Sequence, residues 1–183
     1  MRGWVLSISG PPGSGKTTLA REITARTGAA FLGWDDYETF TRRPPALIAD
    51  WLTRGAPFDE VEAPGLAKKI RATQGPVVID SPFGKAHPET GPLIDHGVWI
   101  DCAPDLALSR KIAQLAASVP ARQASSFVSW LSGYLEAYAT IVRPSIAVQE
   151  ARVAPTCALR VKSENLATDS VQIITKELML TEI

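Results

Sequence analysis

The chain has 183 residues, 45% of them hydrophobic and 21% charged, which suits one domain (1–183) with a substantial core and is too apolar for a disordered chain. Nineteen basic side chains balance nineteen acidic ones, so the formal net charge is zero. That balance removes the usual support for affinity driven by nucleic-acid phosphates or anionic lipid, while a small anion could still be held in a local positive pocket.

Residues 4–8 form a short apolar run rich in β-branched side chains and ending before a glycine, which predicts a buried strand. The run also has the look of a secretion signal, but it is short and leads into Gly10, Pro11, Pro12 and Gly13 with no small-residue cleavage site. Residues 16–27 carry Leu19, Ala20 and Ile23 at helical spacing, with Gly28 as the stop. Residues 29–32 give a second strand. Residues 45–54 predict a helix opened by Pro45 and closed by Gly55, with Leu47, Ile48, Trp51 and Leu52 on one stripe. Another helix is expected over 62–73, its first turn disturbed by Pro64 and Gly65.

Residues 76–80 and 98–102 are the strongest strands. A helix follows over 104–118, then a long helical region over 123–152 that Pro144 should kink or divide. A last strand over 158–161 and a closing helix over 167–180 complete the chain. Strands alternating with helices imply an α/β three-layer sandwich around a mostly parallel five-stranded sheet, where ligands sit beyond the carboxyl ends of the strands. The two cysteines, Cys102 and Cys157, form no CxxC pair, and no apolar run approaches the roughly 18 residues of a membrane span. The expectation is a cytoplasmic protein with no membrane partner and no nucleic-acid partner; a homodimer stays open.

The chemistry begins at the first strand's end. Gly10, Pro11, Pro12, Gly13, Ser14, Gly15, Lys16 and Thr17, followed by Thr18, fit the spacing G-x-x-x-x-G-K-[ST] at every fixed position. A polyphosphate must be held by backbone N–H groups in a tight loop with little side-chain bulk, and the loop opens into a helix N-terminus whose dipole favours the anion. Lys16 reaches the β- and γ-phosphates, and the Thr17 hydroxyl completes the coordination of a bound magnesium ion. The expected ligands are therefore ATP and Mg²⁺, with the preference between ATP and GTP open.

Asp80 closes an apolar strand, where the sheet would carry a carboxylate to that magnesium ion; Asp101 is the rival. Asp35 and Asp36 follow the second strand and cannot point the same way. One of them could orient or deprotonate an acceptor hydroxyl, the alternative being a solvated acidic turn.

Gly10 to Thr18, the Trp34, Asp35, Asp36, Tyr37 stretch and residues 98–111 together resemble the uridine kinase and nicotinamide riboside kinase group of P-loop kinases. The stretch from Tyr134 to Tyr138, with Arg143 and Pro144, is similar to the tyrosine-and-proline segment of that group's long helix. The resemblance implies a P-loop NTPase fold with a small helical lid at about 110–125. It also implies Asp35 as the acid-base group, Asp80 in the place of a metal-associated glutamate, and Arg110 in the lid over the phosphates. The chain departs from the group in having Asp80 and Ser81 for Glu-Gly, and in a lid whose cations reduce to Arg110, Lys111 and, farther on, Arg122.

The remaining candidates are His87, expected at the surface with an alternative role against an acceptor, and Phe58, expected as an ordinary packing residue with an alternative role against a planar ring. Asp36 and Tyr37, in the acidic stretch, are further acceptor or lid candidates. Trp51, Trp130, Tyr134 and Tyr138 are expected to be core, and Cys102 a small buried hydrophobe. The acceptor pocket should come from about residues 39–60 and the loops after the third strand. The expected function is ATP- and Mg²⁺-dependent phosphoryl transfer to a hydroxyl of a small metabolite, a nucleoside first. The alternatives are an ATPase or nucleotide-dependent switch without a small acceptor, and a phosphotransferase acting on an antibiotic or sugar.

Overall fold

Period-two alternation along the strands sorts the apolar side chains between two cores. In β1 (Arg2–Ser9), Val5 faces one core while Leu6 and Ile8 face the other. In β3 (Gly75–Asp80), Val77 and Ile79 lie on the first face and Val78 on the second. In β4 (His96–Asp101), Trp99 opposes Val98 and Ile100 in the same way. A sheet apolar on both faces must be covered on both. With β2 (Ala30–Gly33) and β5 (Leu159–Lys162) the order is β2-β3-β1-β4-β5, and every pairing is parallel. The computed structural model describes residues 2–165 and 168–178.

One face is covered by α1 (Lys16–Thr27) and α7 (Thr168–Glu177), through Leu19, Ile23, Val171 and Ile174. Burying each such aliphatic side chain contributes about 1.5–3 kcal/mol. The other face is covered by α2 (Pro45–Thr53), α3 (Leu66–Ala72) and an aromatic cluster of Trp34, Phe40, Trp51, Phe58, Phe83 and Trp99. Gly28 ends α1 in a left-handed conformation, its N–H donating to the Thr24 carbonyl. The expected end of the last helix at 167 and 179–180 lies outside the described residues.

The helical region 123–152 is divided, as Pro144 requires, but the break comes before the proline. α5 (Ala124–Ala137) gives way to a wider π-helical turn over Tyr138–Val142, and α6 (Arg143–Arg152) restarts with Pro144 in its first turn. A proline has no N–H for the carbonyl four residues back, and its ring presses on that carbonyl, so the ladder widens one turn earlier. α4 (Pro104–Ser118) buries only Ala107, and α5 and α6 bury no side chain fully. These helices stand over the strand ends and leave space beneath them. Both cysteines are free, and no helix among the described residues is long and apolar enough to cross a membrane.

Candidate functional site

β1 lies at the centre of the sheet, so the loop after Ser9 emerges between the ends of β3 and β4. Gly15 enters α1 with φ of 96°, a left-handed conformation open to glycine at little cost. Gly13 is more tightly fixed. Its φ is 85°, and a Cβ placed there would lie 2.0 Å from the Ala107 carbonyl oxygen of α4. Gly13→Ala is therefore expected to push α4 off the loop, lowering stability by about 1–3 kcal/mol and weakening ATP binding; thermal unfolding and calorimetric titration check both.

Lys16 is half-buried, and its Nζ donates to the Pro11 carbonyl at 3.0 Å. Burial pulls its pKa below the usual lysine range, and the carboxylates of Asp80 and Asp35 partly offset the fall. Thr17 Oγ1 donates to Asp80 Oδ2 at 2.5 Å. The register that sets Ile8 beside Asp80 produces this pair, because the loop leaves β1 two residues later. Asp101, the rival, is taken up elsewhere: Arg160 of β5 donates to both of its oxygens, with Nε to Oδ2 at 3.0 Å.

β2 pairs Gly33 with Asp80, so the turn after it starts beside the same strand end. The 3₁₀ turn Trp34–Asp36 buries Trp34 and leaves Asp35 and Asp36 at the surface, the Asp35 carboxyl being partly shielded from solvent. The two carboxylates diverge as expected. Asp36 folds back over Gly33, with Oδ2 at 3.0 Å from where a Cβ would stand. The pKa of Asp35 is raised by desolvation first and by the Asp80 charge second, while Lys16 and Lys111 oppose the shift. Asp35, Lys16 and Asp80 therefore share one electrostatic neighbourhood.

The lid cations separate. The charge of Lys111 reaches both Lys16 and Asp35. Arg110, one residue earlier and on another face of α4, is exposed and has no hydrogen bond or ion pair among the described residues. Arg122, in the 3₁₀ turn Ala121–Gln123, is likewise exposed.

Two cavities lie over the strand ends. One, of 590 Å³, lies over the ends of β4 and β5 and is lined by Pro11, Cys102, Pro104, Ile146, Lys162 and Glu164 among others. Cys102 is thus half-buried in a cavity wall and not in the core. The second, of 670 Å³, lies over β2 and β3 and has Asp35 in its wall. Phe40, Thr41, Arg43, Pro45, Ile48 and Trp51 reach it from the expected segment, and Pro82 and Phe83 from the loop after β3.

His87 is placed otherwise than expected, while Phe58 and Tyr37 turn to the core. His87 is 3% exposed, so it is no surface histidine. Its Nδ1 accepts from the Thr90 N–H at 3.2 Å, which leaves Nε2–H to donate to the Val61 carbonyl at 2.8 Å. Burial lowers its pKa and keeps the ring neutral, and it supports Trp34 from behind at 4.9 Å between ring centroids. Phe58 is buried behind Phe83, with the Arg152 guanidinium 3.8 Å over its ring. Tyr37 packs against the core from a half-buried position. Conversely, Trp130 and Tyr134 are not core: they line the second cavity, and Trp130 is 47% exposed. Their spacing with Phe127 and Tyr138 was the available signal, but a helix face turned to a cavity has the same period as one turned to a core.

The family model for the AAA group, ATPases associated with various cellular activities, matches residues 6–79, from β1 through β3. Adenylate kinase from Pyrococcus horikoshii is 32% identical over 117 residues, 57% of this chain and 51% of that protein. The Pyrococcus abyssi adenylate kinase is 30% identical over the same length, so the chain spans about half the length of the curated relatives it matches. Among solved structures, shikimate kinase from Acinetobacter baumannii in complex with shikimate superposes with a TM-score of 0.56 at 14% identity, over 97% of this chain and 93% of that one. Shikimate kinase from Bacteroides thetaiotaomicron gives 0.55 at 13% identity, over 96% and 98%. The chain has a P-loop kinase fold. These matches carry that fold and do not single out the uridine kinase group. The strand order sets β2, β3 and β1 side by side, so that Asp35, Asp80 and, farther along the loop after β1, Lys16 lie near one another.

Proposed function

We propose that this P-loop protein is a small-molecule kinase that transfers the γ-phosphoryl group of ATP, with Mg²⁺, to a hydroxyl of a small metabolite. The observation that carries the reading is the convergence of Lys16, the Thr17–Asp80 pair and Asp35, with one cavity beside Pro11 of the loop and another beside Asp35. A donor on the β4–β5 side and an acceptor on the β2–β3 side would meet over β1. An ATPase with no acceptor has no use for a second cavity with a carboxylate in its wall.

In this reading the backbone of residues 10–18 cradles the phosphates, and Lys16 moves from the Pro11 carbonyl onto them. Thr17 and Asp80 would hold the magnesium ion. Magnesium is an ion bound through one or two carboxylates with phosphates and water, which the single carboxylate of Asp80 beside the Thr17 hydroxyl fits. When bound, that ion would neutralise charge on the phosphates. Asp35 orients the acceptor hydroxyl and accepts its proton, a task that a carboxylate raised above its ordinary pKa performs closer to neutral pH. The 590 Å³ cavity takes the nucleoside end of ATP. A nucleoside as acceptor rests on the sequence resemblance alone.

Lys111 takes the charge-stabilising part that the sequence assigns to Arg110. Lys111→Ala is expected to lower turnover about 10²-fold, and Arg110→Ala to change it less than about threefold. Steady-state kinetics of the two variants decides between them. The test of the function itself is ADP release from MgATP with and without a pool of metabolite alcohols. Release that rises with acceptor and yields a phosphorylated product supports a kinase. Equal release in both arms, with no product, refutes it in favour of an ATPase.

A further inference from the structure

The second cavity has a chemistry of its own. Its walls are mostly carbon and strongly aromatic, with Trp34, Phe40, Trp51, Phe83, Trp130 and Tyr134 all on its surface. Of its charged groups, Glu38 is 8% exposed and already satisfied, accepting from the Thr41 N–H at 2.9 Å and from the Thr41 hydroxyl. Among the described residues Arg43 is the one cation in the wall. Its guanidinium lies 4.9 Å over the Phe40 ring and donates to the Glu60 carbonyl at 3.4 Å. With Asp35 the wall therefore carries two carboxylates against one guanidinium, a net negative lining that disfavours a carboxylate or phosphate on an acceptor. A nucleoside, with several hydroxyls and a hydrogen-bonding base, would turn many polar groups toward a wall that is mostly carbon.

The roof of the cavity is a stacked ladder on α5. The Trp130 and Tyr134 rings are 5.2 Å apart and 17° from parallel, and Phe127 continues the stack at 5.8 Å and 20°. Trp130 is nonetheless 47% exposed, on a helix that buries no side chain fully. An aromatic ladder of this kind, bordering a 670 Å³ cavity of the size that holds small ligands, offers another ring the parts of Trp130 and Tyr134 that their stacked neighbours leave uncovered.

Resting on the kinase reading for its site, we propose that the acceptor is an uncharged, largely apolar alcohol carrying an aromatic or fused ring, which stacks on Trp130 and Tyr134 while its hydroxyl reaches Asp35. The side-chain oxygen of Gln149, buried in the same wall without a hydrogen-bond partner, offers one acceptor for a neutral donor on that ligand. The class excludes sugar acids, hydroxy acids such as shikimate, nucleosides and nucleoside monophosphates.

The test uses the full chain with MgATP and four sets of probes. These are aryl alcohols (2-phenylethanol, indole-3-ethanol and 2-naphthaleneethanol), nucleosides (uridine and adenosine), acids (gluconate and shikimate) and AMP. Product is measured by mass spectrometry. Binding is measured separately, by tryptophan fluorescence with a non-hydrolysable ATP analogue. The aryl alcohols are expected to exceed the other sets in kcat/KM by about tenfold or more. Trp130→Ala should raise their KM about tenfold with kcat within about twofold, Trp130→Phe should restore most of it, and Leu135→Ala, exposed on the same helix, should leave KM unchanged. If aryl alcohols bind, and Trp130→Ala weakens them, while no alcohol is phosphorylated, the pocket assignment stands and the kinase reading falls. Preference for a nucleoside, an acid or AMP, a KM insensitive to Trp130→Ala, or no binding of any aryl alcohol overturns the inference; the first of these leaves the kinase reading intact.

Discussion

Lys16→Ala is expected to abolish the stabilisation that MgATP confers and to lower turnover by about 10²-fold or more, while leaving the ligand-free protein as stable as the parent or more so. A bound nucleotide at 100 times its dissociation constant adds roughly 2.7 kcal/mol, so the loss is easily read in a thermal shift. The sign of the second effect follows from burial. The Lys16 ammonium is crowded by the loop, and desolvation lowers its pKa more than Asp80 and Asp35 raise it. A base that binds its proton less readily folded than unfolded destabilises the fold in full below its folded pKa. That cost fades as pH rises from there toward the ordinary value of 10.5. Alanine removes the cost. Phosphate oxygens arriving in the cradle would remove it too, by replacing the water that burial took away, which is why an unfavourable lysine is useful there. A variant whose melting temperature still rises with MgATP as the parent's does would refute the cradle.

Much of the sheet was legible because its signals are local. The strands over 76–80 and 98–102 are apolar runs bounded by Gly75, Pro82 and Pro104, and β3 and β4 end at Asp80 and Asp101. The phosphate loop was legible for the same reason, and the Thr17–Asp80 pair followed once the two strands lay side by side. What could not be read depends on docking. Whether Lys111 or Arg110 faces Lys16 depends on side chains about 100° apart on α4, and hence on how α4 docks through Ala107 against Gly13. His87 stands in a loop with Pro88 and Glu89, and only the tertiary partners Val61 and Trp34 make it a buried strut. Trp130 and Tyr134 have the period of a core stripe, and nothing local says that the space they face is empty. The division of the long helix at Tyr138–Val142 was predicted in kind but not in place, since a proline's effect falls on the carbonyl four residues back.

Asp35→Asn is the sharper test of chemistry, because it separates catalysis from folding by their signs. Asparagine keeps the size and the hydrogen-bonding reach of the side chain, so MgATP and acceptor should bind as before. It cannot accept the acceptor's proton, and acceptor-dependent turnover should fall about 10²–10⁴-fold. In the parent protein the acid limb of the pH profile should lie above the ordinary aspartate value of 3.8, because desolvation and the Asp80 charge raise the Asp35 pKa while Lys16 and Lys111 only partly counter them. The same shift fixes the stability effect. A carboxyl that holds its proton more tightly folded than unfolded loses stability as pH rises from the unfolded value to the raised folded one, and at neutral pH that cost stands in full. The asparagine variant should therefore melt no lower than the parent at neutral pH, with the difference vanishing in acid. A merely structural aspartate would give the reverse pattern, a lower melting temperature with turnover nearly intact. Rapid-quench measurement of one turnover, beside melting curves taken across the acid range, reads both signs on one preparation, and transfer at the parent's rate would remove Asp35 from the mechanism.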